Sequence, residues 1–560
     1  MNAIALKAEK RLRIPFWGLA GAAAAFMIFL WPLLYLFREA FMNPDGGFTL
    51  ANFTQVLTDP GFGKVILNSV FINSCATLLT TAFGVCFAYI MAYTDLPFKK
   101  IIHTLLLLPL VIPSYIVTLA WMQMFLKSSI FYKLTHFELY SYGGIILMFA
   151  VCQYPMVYLL CLSHFRKIPR ELEQAADISG CSWWKRFWKV SLPITKGTLA
   201  NAMLLVFLSC LDNFGIVAFI GIPANIQVLS TDIYKTIISV TDSSFAVSAV
   251  KAIILSVVAV AIILLSRKMA ENAQVAGCEK EDMSPRLFLG NWKYLLLAAV
   301  GLFILIVNII PFLTLAGSAM TKAKGVAFSP ATASFANFDK VLHNSKCLNG
   351  LKNSVLLAGG TALICGGIGV SVSYFAERRH SAIARKVQSM VTFPYSIPGI
   401  ILGLSLILTY ARSFHGVTIY GTIWILLLAY VIRFTSVILR SSNTAFAQLD
   451  GSMEEAASAC GAGNRAKWQR VILPLTSGPI ASGLGMVIIS SLMELTTSSL
   501  LWSGGSETVG VVIFNFTSAG MSNLASAYSS LILLCLLVAA GGIKLLSMGV
   551  RRGKSRAAAG

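Results

Sequence analysis

EQAADISGCSWWKRFWKVSLP, residues 173–193, and EEAASACGAGNRAKWQRVILP, residues 454–474, are two copies of one pattern. In each, an acidic residue, a polar residue and two alanines precede a glycine: Glu173, Gln174, Ala175, Ala176 and Gly180, then Glu454, Glu455, Ala456, Ala457 and Gly461. Val190 and Val471 stand ten residues after the glycine, and Pro193 and Pro474 thirteen after it. In a helix Ala176 and Gly180 share a face, as do Ala457 and Gly461, so the face carries almost no side chain. Such a stripe admits another backbone or a ring at close range. The plain alternative is a packing crease against a neighbouring helix of the same chain.

The duplication extends outward. Ala51-Asn52-Phe53 returns as Ala336-Asn337-Phe338, Asn68-Ser69-Val70 as Asn353-Ser354-Val355, Gly84-Val85 as Gly369-Val370 and Tyr89 as Tyr374, each 285 positions on. Pro109 and Pro113 keep that shift to Pro394 and Pro398, whereas from Glu173/Glu454 to Pro193/Pro474 the shift is 281, so the intervening segment differs in length. Repeats of this kind are a common construction of membrane transporters.

The 560 residues are 57% hydrophobic and 12% charged, with a mean hydropathy of +0.76, which places the chain in a bilayer. Runs long enough to cross it, about 20 residues each, fall near 14–37, 65–93, 101–126, 143–163, 197–220, 247–266, 294–316, 351–376, 391–411, 418–439, 477–501 and 526–548. These twelve spans are expected to be helical, because open sheet leaves backbone groups unpaired in lipid. The first run is expected to be retained: it is long for a signal-peptide core, and its small residues Gly21–Ala25 lie inside the apolar stretch. Six spans per half in the same order predict two parallel repeats about an axis along the membrane normal. The halves are then 1–266 and 294–560, joined by the polar segment 267–293, which reads as a cytoplasmic linker that tolerates lengthening.

Lys and Arg set the orientation. Lys7, Lys10, Arg11 and Arg13 precede the first span, Arg166 to Lys196 lie between the fourth and fifth, and Arg551, Arg552, Lys554 and Arg556 end the chain. Both termini and both duplicated loops are therefore expected in the cytoplasm. The net charge of +21 is this topological bias rather than a nucleic-acid footprint. The eleven cysteines include no C-x-x-C pair and the six histidines are isolated, so neither a disulfide framework nor a metal cage is expected.

Charges inside spans are candidates for function. Asp212 and Asn213 lie in the fifth span, and Glu494 takes the position of Asn213 in the eleventh, so Asp212 and Glu494 are expected near the pseudo-twofold axis, lining a path or merely satisfied by neighbouring helices. Arg433, close to Arg440 and the cytoplasmic end of its span, is expected to snorkel to the headgroups. Pro109, Pro113, Pro394 and Pro398 are expected to bend the third and ninth spans. Trp184, Phe187, Trp188 and Ser191 fall on one helical face and Lys185, Arg186 and Lys189 on the other, which suits a segment lying along the headgroup layer. Pro193 and Pro474 then sit where a membrane helix can begin.

The duplicated Glu/Gln-Ala-Ala-x-x-x-Gly with its spaced Val and Pro resembles the EAA loop of ABC importer permeases. Gln174 stands where that family commonly has Glu, and Val190 and Val471 stand where it has Ile. The resemblance covers nearly the whole chain, and it implies a type I importer permease whose loops dock, as short coupling helices, on a cytoplasmic ATPase that is a separate subunit. QYPMVYLL near 153, the stretch 214–234 and AYVIRFTSVILR near 429–440 resemble the fused permeases of iron(III) importers; related fused permeases move thiamine or aminoalkylphosphonates. The resemblance implies an ATP-binding dimer and an extracytoplasmic binding protein as partners and the bacterial inner membrane as the location. No G-x-x-x-x-G-K-[ST] loop occurs: Gly553-Lys554-Ser555 has Met548 where the first glycine belongs, so ATP is expected in a partner and no cofactor in this chain. An acidic pair would favour a cationic cargo, iron or thiamine over a phosphonate. An ion-coupled secondary transporter would share the twelve spans but leaves the duplicated loop without a task. A membrane enzyme would need a nucleophile and base or a ligand set that the sequence does not display.

Overall fold

The computed structural model describes residues 16–43, 46–239, 244–272, 281–322, 329–411 and 418–557. Among them the regular structure is helical, with only three isolated bridges besides. Ten helices, from Gly18–Ala40 to Ser522–Ala539, are long and apolar enough to cross a membrane, and a bent pair, Ala382–Ser396 with Gly399–Tyr410, makes an eleventh. The expected span 101–126 is divided into Lys99–Leu106, Leu108–Val111 and Ser114–Met124, none of which reaches that length alone. The prolines account for the division. Pro113 and Pro398 hold extended backbone at the N-caps of Ser114–Met124 and Gly399–Tyr410, and the chain turns through 110° between Ser396 and Gly399.

The sequence repeat returns as repeated contacts. A methyl group on Gly84 would lie 2.5 Å from Val157 Cβ, and one on Gly369 would lie 2.7 Å from Ile438 Cγ2, so each glycine seats its long helix against the next span at equivalent places. The amide of Leu229 donates to Ser69 Oγ at 2.8 Å and that of Val509 to Ser354 Oγ at 2.9 Å. Asn52 Nδ2 donates to the carbonyls of Ala40 and Met42, as Asn337 Nδ2 does to those of Ala319 and Thr321. In hydrocarbon each such polar side chain needs a partner inside the protein, which ties it to one geometry.

The halves interlock by exchange. Trp31–Ala40 of the first half packs on Gly399–Tyr410 of the second, and Ile310–Ala319 of the second packs on Ser114–Met124 of the first. Asn308 Nδ2 donates to the Leu105 carbonyl at 2.8 Å, and Ser318 Oγ to Gln123 Oε1 at 2.9 Å. Any relative movement of the halves therefore carries the opposite half's first span with it.

The described part of the joint is packed against the protein. The helix Ser244–Asn272 runs past residue 266, and residues 281–289 are docked on the first half. The amides of Arg286 and Leu287 both donate to the Tyr93 carbonyl at 2.8 Å, and the Leu289 amide donates to Asp95 Oδ1 at 3.0 Å. The rest of the joint, 273–280, lies outside the described residues.

Candidate functional site

Two helices break near the middle of the molecule. Leu192–Asp212 ends at Asp212 and restarts as Phe214–Ile220; Leu473–Leu492 ends and restarts as Ser498–Leu501. A helix restart exposes unpaired amides. Asn213 Oδ1 accepts from the Ile216 amide at 3.1 Å, and Glu494 Oε1 accepts from the Thr497 amide at 2.7 Å. Asn213 thus caps the restarted helix Phe214–Ile220, whereas its pseudo-equivalent Glu494 holds the amide of Thr497, the residue before Ser498–Leu501. Asn213 Nδ2 also donates to Ser114 Oγ at 3.2 Å.

Asp212 reaches across the interface. Its Oδ1 accepts from the Gly399 amide and its Oδ2 from Arg433 Nη2, both at 2.7 Å. Arg433 Nε lies 3.3 Å from Glu494 Oε2, and its Nη1 donates to Thr497 Oγ1 at 3.1 Å. Arg433 therefore does not snorkel. Its side chain is 15% exposed, held by two carboxylates and a hydroxyl, a better solution for a buried cation than a stretch to the headgroups. The sequence carried the signal in two acids and one base placed at membrane depth, but which groups meet depends on the helix crossing. Under the repeat the position of Asp212 is taken by Met493 and that of Arg433 by Cys152, so the tie occurs on one side of the pseudo-twofold only.

The cluster borders a cavity of about 240 Å³ lined also by Ser209, Ser490 and Thr496. Two carboxylates share one guanidinium, so the cluster carries one formal negative charge rather than two. Among the described residues no three His, Cys, Asp or Glu side chains converge as a metal cage. A larger cavity of about 680 Å³ opens between the halves, with Tyr234 and Lys235 from the first and Asn515 and Ser518 from the second among its walls.

The duplicated loops form two short helices, Arg170–Ile178 and Gly451–Ala459. Gly180 and Gly461 lie beyond their ends, with φ of +76° and +77°, so the expectation that each shares a helical face with Ala176 or Ala457 is corrected. They terminate the helices. The Cys181 and Ala462 amides reach back to the carbonyls of Ala176 and Ala457, and those of Gly180 and Gly461 to Asp177 and Ser458, a paired closure that needs a left-handed residue and so favours glycine. Gln174, Ala175, Glu455 and Ala456 are exposed, while Ala176 and Ala457 are half-buried. Apolar side chains stand out beside them: Leu172 is 48% exposed, Ile178 88% and Met453, the counterpart of Leu172, 46%.

The inward face of each helix is fixed by charge. Glu173 accepts from the Tyr93 hydroxyl and pairs with Arg286 at 2.8 Å; Glu454 pairs with Arg378 at 2.8 Å. Glu173, rather than Gln174, makes the internal contact of the first loop. Arg186, expected on a solvated face, is 5% exposed and holds Asp177, while Lys467 at the equivalent place donates to Ser458 Oγ at 3.2 Å. Phe187 rests on Tyr89 and Trp468 on Tyr374, ring centroids 4.8 Å apart in both halves. Pro193 and Pro474 lie in the first turn of the α-helices Leu192–Asp212 and Leu473–Leu492, the place expected of them. The spans run continuously over Trp183–Asp212 and Asn464–Leu492, through widened turns at Phe187–Ser191 and Trp468–Ile472 that accommodate the missing amide.

A model of the family described as binding-protein-dependent transport system inner membrane component matches residues 84–272 and again 369–552. The chain is 22% identical over 491 residues to the putative ferric transport system permease protein FbpB 1 of Haemophilus influenzae, covering 84% of this chain and 76% of that one. It is 20% identical over 528 residues to the Fe(3+)-transport system permease protein FbpB 2 of the same organism, covering 93% and 96%. The molybdenum transport system permease protein ModB of Escherichia coli is 28% identical over 190 residues, 33% of this chain and 82% of ModB. With two family matches spanning most of both halves, the chain belongs to the binding-protein-dependent transport system inner membrane components, the multi-pass permeases of ABC importers.

Proposed function

We propose that this chain is a two-half permease of an importer for iron(III), driven by a separate cytoplasmic ATPase and supplied by an extracytoplasmic binding protein. The observation that carries the ATPase partner is the pair of short helices Arg170–Ile178 and Gly451–Ala459, each anchored inward by a glutamate–arginine pair and each presenting small and apolar residues outward. Exposed apolar groups repeated at equivalent positions mark a contact surface. On this reading the loops and both termini face the cytoplasm of a bacterium, and the ATPase acts as a dimer, one subunit per helix.

Iron(III) is favoured by the two relatives named for ferric transport that align along most of the chain, and by the net negative charge of the Asp212–Arg433–Glu494 cluster. With no metal cage among the described residues, the cargo would be held tightly by the binding protein and only pass here. Affinity purification of the tagged chain from its own membranes, followed by mass spectrometry, tests the partners. Uptake of radiolabelled iron(III), with thiamine and an aminoalkylphosphonate as competitors, tests the cargo. Inhibition by thiamine or the phosphonate but not by unlabelled iron(III) would move the assignment to that competitor.

A further inference from the structure

The two coupling helices are anchored by the same kind of ion pair, but the cation comes from different places. In the second half it is Arg378, at the end of the long helix Ser345–Arg378. The residue 285 positions earlier is Tyr93, which ends the matching helix Pro60–Tyr93 and carries no charge. Tyr93 donates its hydroxyl to Glu173, and the positive charge arrives from the joint between the halves as Arg286.

Arg286 is built into this place. Its side chain and that of Glu173 are 5% and 4% exposed, against 16% and 23% for Arg378 and Glu454. Nη2 donates to the Ile168 carbonyl at 2.9 Å, and the guanidinium lies over the Tyr93 ring at 5.2 Å. The preceding residues fasten the strap to the same region: Asp282 pairs with Arg170, the first residue of the coupling helix, and Glu281 accepts from Ser163 Oγ at 2.7 Å. The chain then continues into Trp292–Ala319, whose first part packs on Lys99–Leu106.

We infer that residues 281–289 are part of the first coupling site and that Arg286 is a positioning residue for the helix Arg170–Ile178, replacing the arginine that the first half lacks at position 93. The inference rests on the ATPase-coupling reading above. It makes the two coupling helices unequal: the second is anchored by its own half, whereas the first is held by a segment that leads directly into the other half. Movement of that half therefore bears on the first helix.

The test uses the full chain, purified in nanodiscs with whatever nucleotide-binding subunit accompanies it. Arg286→Gln is compared with Tyr93→Arg/Arg286→Gln, which returns the cation to the place it has in the second half. Arg286→Gln is expected to raise amide exchange about tenfold across 170–178 but not across 451–459, in line with the loss of a charge-assisted bond, and to lower ATP hydrolysis by the complex. The double variant is expected to restore both. A buried Glu173 left unpaired can prevent Arg286→Gln from accumulating, and the double variant is then expected to accumulate. Unchanged exchange and hydrolysis in Arg286→Gln overturn the inference, as does failure of Tyr93→Arg to restore either one or, where the single variant is lost, to restore accumulation. If the wild-type chain brings no nucleotide-binding subunit, the coupling reading itself fails and the inference falls with it; a coupled wild type with an indifferent Arg286→Gln removes the inference alone.

Discussion

Replacing Arg433 by glutamine removes the cation that joins the halves. The guanidinium lies 2.7 Å from Asp212 and 3.3 Å from Glu494, and at an effective dielectric of about 20 each attraction is roughly 5–6 kcal/mol before desolvation. Desolvation cancels much of that, and loss of one partner from a buried pair typically costs about 3–5 kcal/mol because the other charge stays behind. The Asp212 side chain is 33% exposed, so water recovers part of its share and the expected loss is about 3 kcal/mol. Thermal inactivation of the purified protein should show it, and a cycle with Asp212→Asn should be non-additive by about 1–2 kcal/mol, the double variant being less damaged than the sum. Gly399→Ala provides a second route that keeps every charge. Its methyl carbon would fall 1.4 Å from Arg433 Nη1, so the guanidinium must leave Asp212. Strict additivity of the two charge variants, together with a wild-type melting curve for Gly399→Ala, would refute the tie between the halves.

Gly180→Trp and Gly461→Trp should leave the protein inserted, since nothing lies within 4 Å of either Cβ position and the left-handed backbone adds only about 1–2 kcal/mol. ATPase stimulation and uptake should nevertheless be lost, and full retention of both in Gly461→Trp would show that this surface docks nothing. Uptake in cells should stop on ATP depletion; survival of ATP depletion with collapse on adding an uncoupler would point to an ion-coupled transporter. The Asp282 carboxyl is held down at about 2 by the Ser284 hydroxyl and amide, with Arg170 assisting. A depressed carboxyl stabilises above its ordinary range and loses that contribution only as the pH falls through its folded value. Protease resistance of the strap should accordingly be the same at about pH 8 and about pH 5, and a loss of protection between them would mean that another group controls it.

The duplicated motif located the two short helices Arg170–Ile178 and Gly451–Ala459, because its spacing is a property of the chain that folding does not alter. It did not show how they end. Ala176 and Gly180 are four apart and would share a face if the helix continued, but a glycine at φ +76° closes it first. Glu173 and Gln174 are adjacent and chemically similar, and only the packed structure turns one inward to Arg286 and leaves the other outside. The polar joint reads as a cytoplasmic linker because its charges suit water equally well; the partners of Asp282 and Arg286 are residues of the first half more than a hundred positions earlier.

The sequence by itself determined the bilayer, the two repeated halves, the proline-divided third and ninth spans and the paired loops, since these follow from hydropathy, proline chemistry and a register counted along the chain; the breaks after Asp212 and Leu492 fall in stretches that read as continuous spans. Tertiary structure decided which charges meet. Arg433 and Asp212 are 221 residues apart, and their contact exists because the end of the broken helix Leu192–Asp212 in one half meets the continuous helix Ile423–Ala447 of the other at one depth. The asymmetry of the two short loop helices has the same origin: in a nearly symmetric pair of halves, an ion pair forms wherever packing brings a cation to a buried carboxylate, and for Glu173 that cation came from the joint.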